Sequence, residues 1–158
     1  MADAEFAALF VDLAPRTRLH LLYLGAQPAE AEEAVQDAML SLLQALRGGM
    51  NVQHPKAWVR MVAARNFFRR KTTTTIRETL VRDVPDFAAP HSMDAEVATA
   101  VDVLEALKRL PARQATIMRL FAADYSVSEI ADLLEMTPAT VRSNLRHARK
   151  KLHLLLLG

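Results

Sequence analysis

Two helix starts in quick succession, at Ser126 and Thr137, constrain this chain more than any other feature of its sequence. Ser126 with Glu129 three residues on has the form of a capping box, in which each side chain satisfies a backbone amide that the first turn would otherwise leave bare. Thr137 before Pro138 is an N-cap followed by proline at the first helical position, where its missing N–H costs nothing. Between the two starts lies a short segment with Ile130, Leu133 and Leu134 as its apolar positions, and Ala131 is small enough to let another helix pass closely. Only Glu135-Met136-Thr137 remains for the connection, which is the length of a helix-turn-helix turn. The predicted helices cover 127–134 and 138–154.

In the second of them Val141, Leu145, Ala148 and Leu152 fall within one narrow arc, the core side. Opposite lie Ala139, Ser143, Arg146, His147 and Lys150, with Thr140 and Arg142 on the flanks. A small-polar and basic outer face, led by a helix N-terminus, meets the requirements for entry into a DNA major groove. Arginine forks onto guanine, while lysine and the helix N-terminus take phosphates. A solvated surface helix would share part of this pattern, but caps, turn and outer face all agree on DNA.

Upstream, apolar periodicity predicts more helices. Residues 5–24 carry Phe6, Leu9, Phe10 and Leu13, and Pro15 opens a second set of turns with Leu19, Leu22 and Tyr23. Residues 29–46 carry Val35, Met39, Leu42, Leu43 and Leu46, with Glu30, Glu32 and Glu33 at the positive end of the helix dipole. Gly25 to Pro28 and Gly48-Gly49 mark the breaks. A third helix starts at Pro55, with Trp58, Val62 and the stem of Arg65 on one side, and the poor helix formers Thr72–Thr75 are expected to end or loosen it. Residues 95–110 (Val97, Val101, Leu104) and 112–123 (Ala115, Met118 and either Leu120 or Phe121) are helical around Pro111. Residues 76–94, with Pro85 and Pro90, lack a sustained period and read as a linker with room for one helical turn at Ile76–Val81. The expected architecture is all-α: two small helical domains, 1–75 and 95–158, joined by the flexible linker 76–94.

Composition narrows function. Apolar residues are 51 % of the 158, enough for packed cores. The absence of cysteine excludes disulfides and thiolate metal sites. Neither a signal peptide nor an apolar run long enough to cross a bilayer is evident, so a cytoplasmic chain without membrane insertion is expected. His20, His54, His91, His147 and His153 are scattered without ligand spacing, no glycine-rich phosphate loop occurs, and the acids of 83–105 fit no calcium loop. No catalytic residue, metal or cofactor is therefore expected, and the chain reads as non-enzymatic.

The net charge is only +2, but it is unevenly spread. From Lys56 to Arg82 eight basic residues are opposed only by Glu78; the acids from Asp83 to Glu105 follow, and Arg142 to Lys151 is again free of acids. Two anionic contact surfaces joined by a linker fit that layout. Within the first, Lys56, Trp58, Arg60, Arg65, Asn66, Phe67, Arg69 and Arg70 mix positive charge with aromatic rings. This composition suits single-stranded nucleic acid, whose bases stack on rings while the backbone follows the charge. Trp58, in phase with Val62, also reads as core. Phe67 and Phe68 are adjacent, so one of them is expected at the surface. The outer face of helix 29–46, with Gln36, Asp37, Ser41 and Gln44, is either a plain solvated face or a dock for a partner helix.

Taken together, these segments resemble the sigma-70 family of RNA polymerase sigma factors, specifically its extracytoplasmic-function (ECF) group. Ala31 to Leu43 is similar to that family's region 2 helix that docks on the polymerase β′ clamp, and His54 to Ala63 to its promoter-melting segment. Leu110-Pro-Ala-Arg-Gln114, Glu129-Ile-Ala131, Thr140-Val-Arg-Ser143 and Arg146-His-Ala-Arg149 resemble region 4. The likeness runs over about residues 5–71 and 95–154. It implies a polymerase subunit that meets the β′ clamp through Gln36, Asp37 and Ser41, and the β flap through region 4. Lys56 to Arg70 would hold the unwound −10 strand, and Ala139, Thr140, Arg142, Ser143, Arg146, His147 and Lys150 would read the −35 duplex. An anti-sigma factor is a common partner in this group, and a free monomer is expected. The linker is too short for the extra domain of housekeeping sigma factors. Two departures stand out: Asn66 runs into Phe67-Phe68-Arg69-Arg70 where the family often has an acid, and Glu135-Met136 replaces the usual turn glycine, at a cost in turn stability. Phosphate on Thr72–Thr75 would oppose DNA binding. The alternative is a conventional helix-turn-helix regulator, which would need a dimer to read two half-sites. His153 to Leu157 is expected to pack on the C-terminal domain, or else to meet a partner.

Overall fold

The computed structural model describes residues 2–78 and 95–157, and all of its regular structure there is helical. The elements are α1 (Ala2–Leu24), α2 (Pro28–Arg47), α3 (Pro55–Glu78), α4 (Ala95–Lys108), α5 (Ala112–Ala122), α6 (Val127–Leu134) and α7 (Pro138–Leu157). They fall into two compact units, Met1–Thr79 and Leu80–Gly158. Apart from residues 76–78, the expected linker lies outside the described residues, as do the side chains of Thr72–Thr75, Val97 and Val101.

In the first unit α1, α2 and α3 each pack on the other two. Ala31, Ala34 and Ala38 are fully buried on α2 beside Val35, Met39 and Leu42, and small side chains there let the neighbouring backbones come close. The phase of α1 differs from the sequence expectation. Its buried stripe is Leu13, Thr17, His20, Leu21 and Leu24, while Phe10 is exposed and Leu19 is 63 % exposed. This helix is apolar nearly all round, so spacing alone leaves its phase open. Nor does Pro15 divide it. The carbonyl that the proline leaves without an amide belongs to Val11, which is 76 % exposed, so water can satisfy it.

The buried face of α3 is Val59, Ala63, Ala64, Phe67 and Phe68, whereas Trp58 and Val62 are half-buried. Both phenylalanines are inside, at 2 % and 5 % exposure, with ring centroids 4.8 Å apart. The expectation that one would surface assumed a single packing partner; α3 has two, α1 and α2, and its buried arc is wide enough for adjacent positions. The threonines do not end α3, which runs on to Glu78 and carries the first unit past residue 75. Threonine costs well under ~1 kcal/mol per residue against alanine, and extending an existing helix avoids the cost of nucleation.

In the second unit α7 packs against α4, α5 and α6. Leu107, Leu110, Ala115 and Ala148 form one cluster, flanked by Leu104, Met118 and Leu152. Ala106, Ile117, Leu120, Tyr125, Ile130, Ala131, Leu133, Val141 and Leu145 complete the buried apolar set. Leu120 is buried and Phe121 exposed, which settles the choice that the period permitted. Arg119, unforeseen as a core position, is buried at 2 % exposure. α7 extends to Leu157, and beyond Leu152 only Leu155 is even half-buried. Leu154, Leu156 and Leu157 are exposed, so the expected packing of 153–157 on the domain is largely not found: α7 outruns the helices it rests on.

Four helix ends share one hydrogen-bond pattern, in which the residue after a left-handed position donates back five residues. Ala26 N–H reaches Leu21 O (3.0 Å), Met50 reaches Ala45 (2.9 Å), Tyr125 reaches Leu120 (3.1 Å) and Met136 reaches Ala131 (3.0 Å). The left-handed residues are Gly25, Gly49, Asp124 and Glu135, with φ of 111°, 84°, 70° and 55°.

Candidate nucleic-acid interface

The helix-turn-helix is built from the caps that the sequence displays. Ser126 Oγ accepts from Glu129 N–H (3.1 Å), and Glu129 Oε1 accepts from Ser126 N–H (2.8 Å). Glu135, left-handed at φ 55° and ψ 50°, ends α6 and turns the chain into α7. Thr137 Oγ1 then accepts from Thr140 N–H at 3.1 Å.

This turn fixes which side of α7 looks outward. Val141, Leu145 and Ala148 are buried, and Ala139, Arg142, Arg146, His147 and Lys150 are exposed. Thr140 and Ser143 are half-buried. Thr140 is further committed: its hydroxyl lies 2.9 Å from Thr137 Oγ1, and its carbonyl accepts from Asn144 Nδ2 at 2.8 Å. Arg149, on the edge of this face, lays its guanidinium over the Phe121 ring, 4.9 Å from the centroid. Arg142, Arg146 and Lys150 take part in no ion pair among the described residues, so their charge is available to an anion.

In α3 the structure divides the sequence-derived set. Trp58, Arg65 and Arg69 follow one another at helical spacing on the outward side, with half-buried Val62 between them. Trp58 is thus half core and half surface. Phe67 is buried and withdrawn from any base-stacking role. Arg60 lies away from this stripe and near His20, where its charge adds to burial in lowering the His20 pKa from 6.5 to about 4. Lys56 is exposed at the helix start, and Asn66 is half-buried. Lys71 sits over the Phe67 ring, 5.5 Å from its centroid. Arg70 turns toward α2, where it pairs with Glu33 (3.3 Å) and with Asp37.

The outer arc of α2 carries exposed Glu33, Gln36, Leu40 and Gln44, flanked by half-buried Asp37 and Ser41. Leu40, 52 % exposed, was missed by the sequence reading. Its exposure was legible in the sequence: it falls out of phase with Val35, Met39 and Leu42, which sets an apolar side chain in the centre of a polar arc. Among the described residues no group of three potential metal ligands occurs, and no helix is long and apolar enough to cross a membrane.

Two helical units, one closing in a capped α6–α7 pair with a basic outer face, define a helix-turn-helix protein. Residues 100–152 match the family model described as Sigma-70, region 4. The ECF RNA polymerase sigma factor SigM of Mycobacterium tuberculosis, from strains H37Rv and Erdman, is 32 % identical over 131 residues, or 80 % of this chain. The chain spans 64 % of the length of those relatives. In fold it is similar to the sigma factor RpoE from Bartonella quintana, solved in complex with the anti-sigma factor NepR, with a TM-score of 0.59 at 21 % identity over 96 % of each chain. Residues 100–152 thus match sigma-70 region 4, and over 80 % of its length the chain is similar to ECF sigma factors.

Proposed function

We propose that this chain is a sigma factor that binds core RNA polymerase and directs promoter recognition and DNA melting. The observation that carries this reading is the outward face of α7, where Arg142, Arg146 and Lys150 follow the capped turn along the helix with no internal counter-charge among the described residues. Such a face offers forked donors to guanine edges and point charges to phosphates. With Ala139, Ser143 and His147 it would read the −35 duplex; Thr140, bound into its cap, would position the helix rather than touch a base. In the other unit, Trp58 supplies a partly exposed ring, and Arg65 and Arg69 supply charge along the same stripe. That set, with Lys56 and Asn66, would hold the unwound −10 strand. The α2 arc of Gln36, Asp37, Leu40 and Ser41 would dock on the β′ clamp, and the second unit on the β flap.

Sigma factors act by binding, and this reading needs no catalytic group, metal or cofactor. It places the chain in the cytoplasm as a free monomer until polymerase or an anti-sigma partner takes it up. The anti-sigma complex of the Bartonella relative supports that class of partner. A conventional regulator acting on duplex DNA alone would leave the α2 and α3 surfaces without a role. Co-purification with core polymerase, followed by run-off transcription on genomic fragments, tests the proposal. Start sites preceded by two spaced sequence boxes are expected. Tight duplex binding without any polymerase binding would overturn it.

A further inference from the structure

Of the basic residues in the second half of α3, Arg70 is held by carboxylates of another helix. Its guanidinium pairs with Glu33 (3.3 Å) and with Asp37, both on the outer arc of α2. Arg69, the preceding residue, lies on the outward stripe with Trp58 and Arg65, about 100° round the helix. A long arginine side chain spans that angle, so Arg70 can reach a phosphate path along the stripe once the carboxylates release it. A carboxylate pair presents the same anionic oxygens to an arginine fork as a phosphate does. The pair is also easily exchanged: side-chain exposure is 43 % for Arg70, 64 % for Glu33 and 45 % for Asp37, and exposed ion pairs are weak.

We propose that Glu33 and Asp37 act as internal phosphate mimics that hold Arg70 off the nucleic-acid surface, so that a partner engaging Asp37 on α2 frees Arg70 for a DNA strand. This rests on the sigma-factor reading for the identity of the partner, but not for the latch itself. One guanidinium then couples two surfaces. Docking on α2 strengthens strand binding at α3, and by linkage the strand strengthens docking by the same factor. In the free chain the latch is closed, which disfavours unproductive binding to single-stranded DNA.

The test is a double-mutant cycle on the full chain, read by fluorescence anisotropy with a labelled single-stranded oligonucleotide of mixed sequence. Glu33→Gln with Asp37→Asn is compared with the parent, first with Arg70 present and then in an Arg70→Ala background. The expected result is a gain in affinity about five-fold larger with Arg70 than without it. The log–log salt dependence should steepen by about 0.7, the contribution of one added phosphate contact on a single strand. Equal gains in both backgrounds would mean that the carboxylates act only through net charge, and would overturn the proposal. Should Arg70→Ala fail to fold, the salt slope of the amide variant decides: steeper supports the latch, unchanged refutes it. Polymerase pull-down by the parent chain is scored separately. Its failure would remove the sigma reading while the cycle still reports on the latch.

Discussion

The two units close their helices with the same hydrogen bonds but not with the same residues. In the first, Gly25 and Gly49 occupy the left-handed positions after α1 and α2; in the second, Asp124 and Glu135 occupy those after α5 and α6. Glycine enters that region freely, whereas an L-residue with a side chain is strained there. The first unit therefore relaxes at its turns, and the second tolerates strain at the turn that leads into α7. A second contrast runs the same way. The first unit sinks a histidine and two adjacent phenylalanines into its core, while the second leaves His147 and Phe121 at the surface.

The strongest test of this contrast is Phe67→Ala, which should cost about 3–5 kcal/mol and melt the α1–α3 unit. Thermal denaturation followed by circular dichroism would show it; a stable variant would mean that Phe67 is not a core residue. The next effect is a pH dependence confined to the first unit. Because the fold lowers the His20 pKa to about 4 from 6.5, burial first and Arg60 second, the folded state favours neutral imidazole. Above pH 6.5 both states are neutral and His20 contributes no slope. As pH falls from 6.5 toward 4, the unfolded chain takes up a proton that the folded chain refuses, so stability drops, by up to about 3 kcal/mol. His20→Gln should flatten the melting temperature across that window, and an identical slope in both proteins would refute the assignment.

Smaller effects separate the turns. Gly49→Ala should destabilise by roughly 1–2 kcal/mol through the backbone alone, since a Cβ there meets nothing within 4 Å. The reverse change in the other unit, Glu135→Gly, should stabilise by about 0.5 kcal/mol, the relieved strain being partly offset by glycine's larger unfolded-state entropy. Chemical denaturation midpoints measure both, and a loss of stability in Glu135→Gly would show that the Glu135 side chain contributes more than its backbone costs.

What the sequence displayed plainly was local. Caps at Ser126 and Thr137, the breaks at Gly25 and Gly48-Gly49, and the inward arc of α7 depend on residues a few positions apart, and the helices followed them. Phases and partners were harder. Because α1 is apolar on most sides, nothing in its spacing distinguishes Leu19 from Leu21. The burial of both Phe67 and Phe68 follows from α3 having two neighbours, a fact of tertiary arrangement. The tie between Arg70 and Asp37 bridges separate helices, so a reading of charge along the chain counts both as surface and misses that each engages the other. In α3 the outward stripe needed the true phase of the helix before Trp58, Arg65 and Arg69 could be set apart from Phe67 and Arg60.

The length of α7 has a consequence of its own. Twenty residues make a rod about 30 Å long, whereas a major groove is about 12 Å across. When the first turns of the rod enter a duplex, Leu154 and Leu157 stand about 20 Å farther along it, clear of the groove. The two ends of a single stiff element are then far enough apart that a contact at the first turns leaves the bare leucines at the other end untouched.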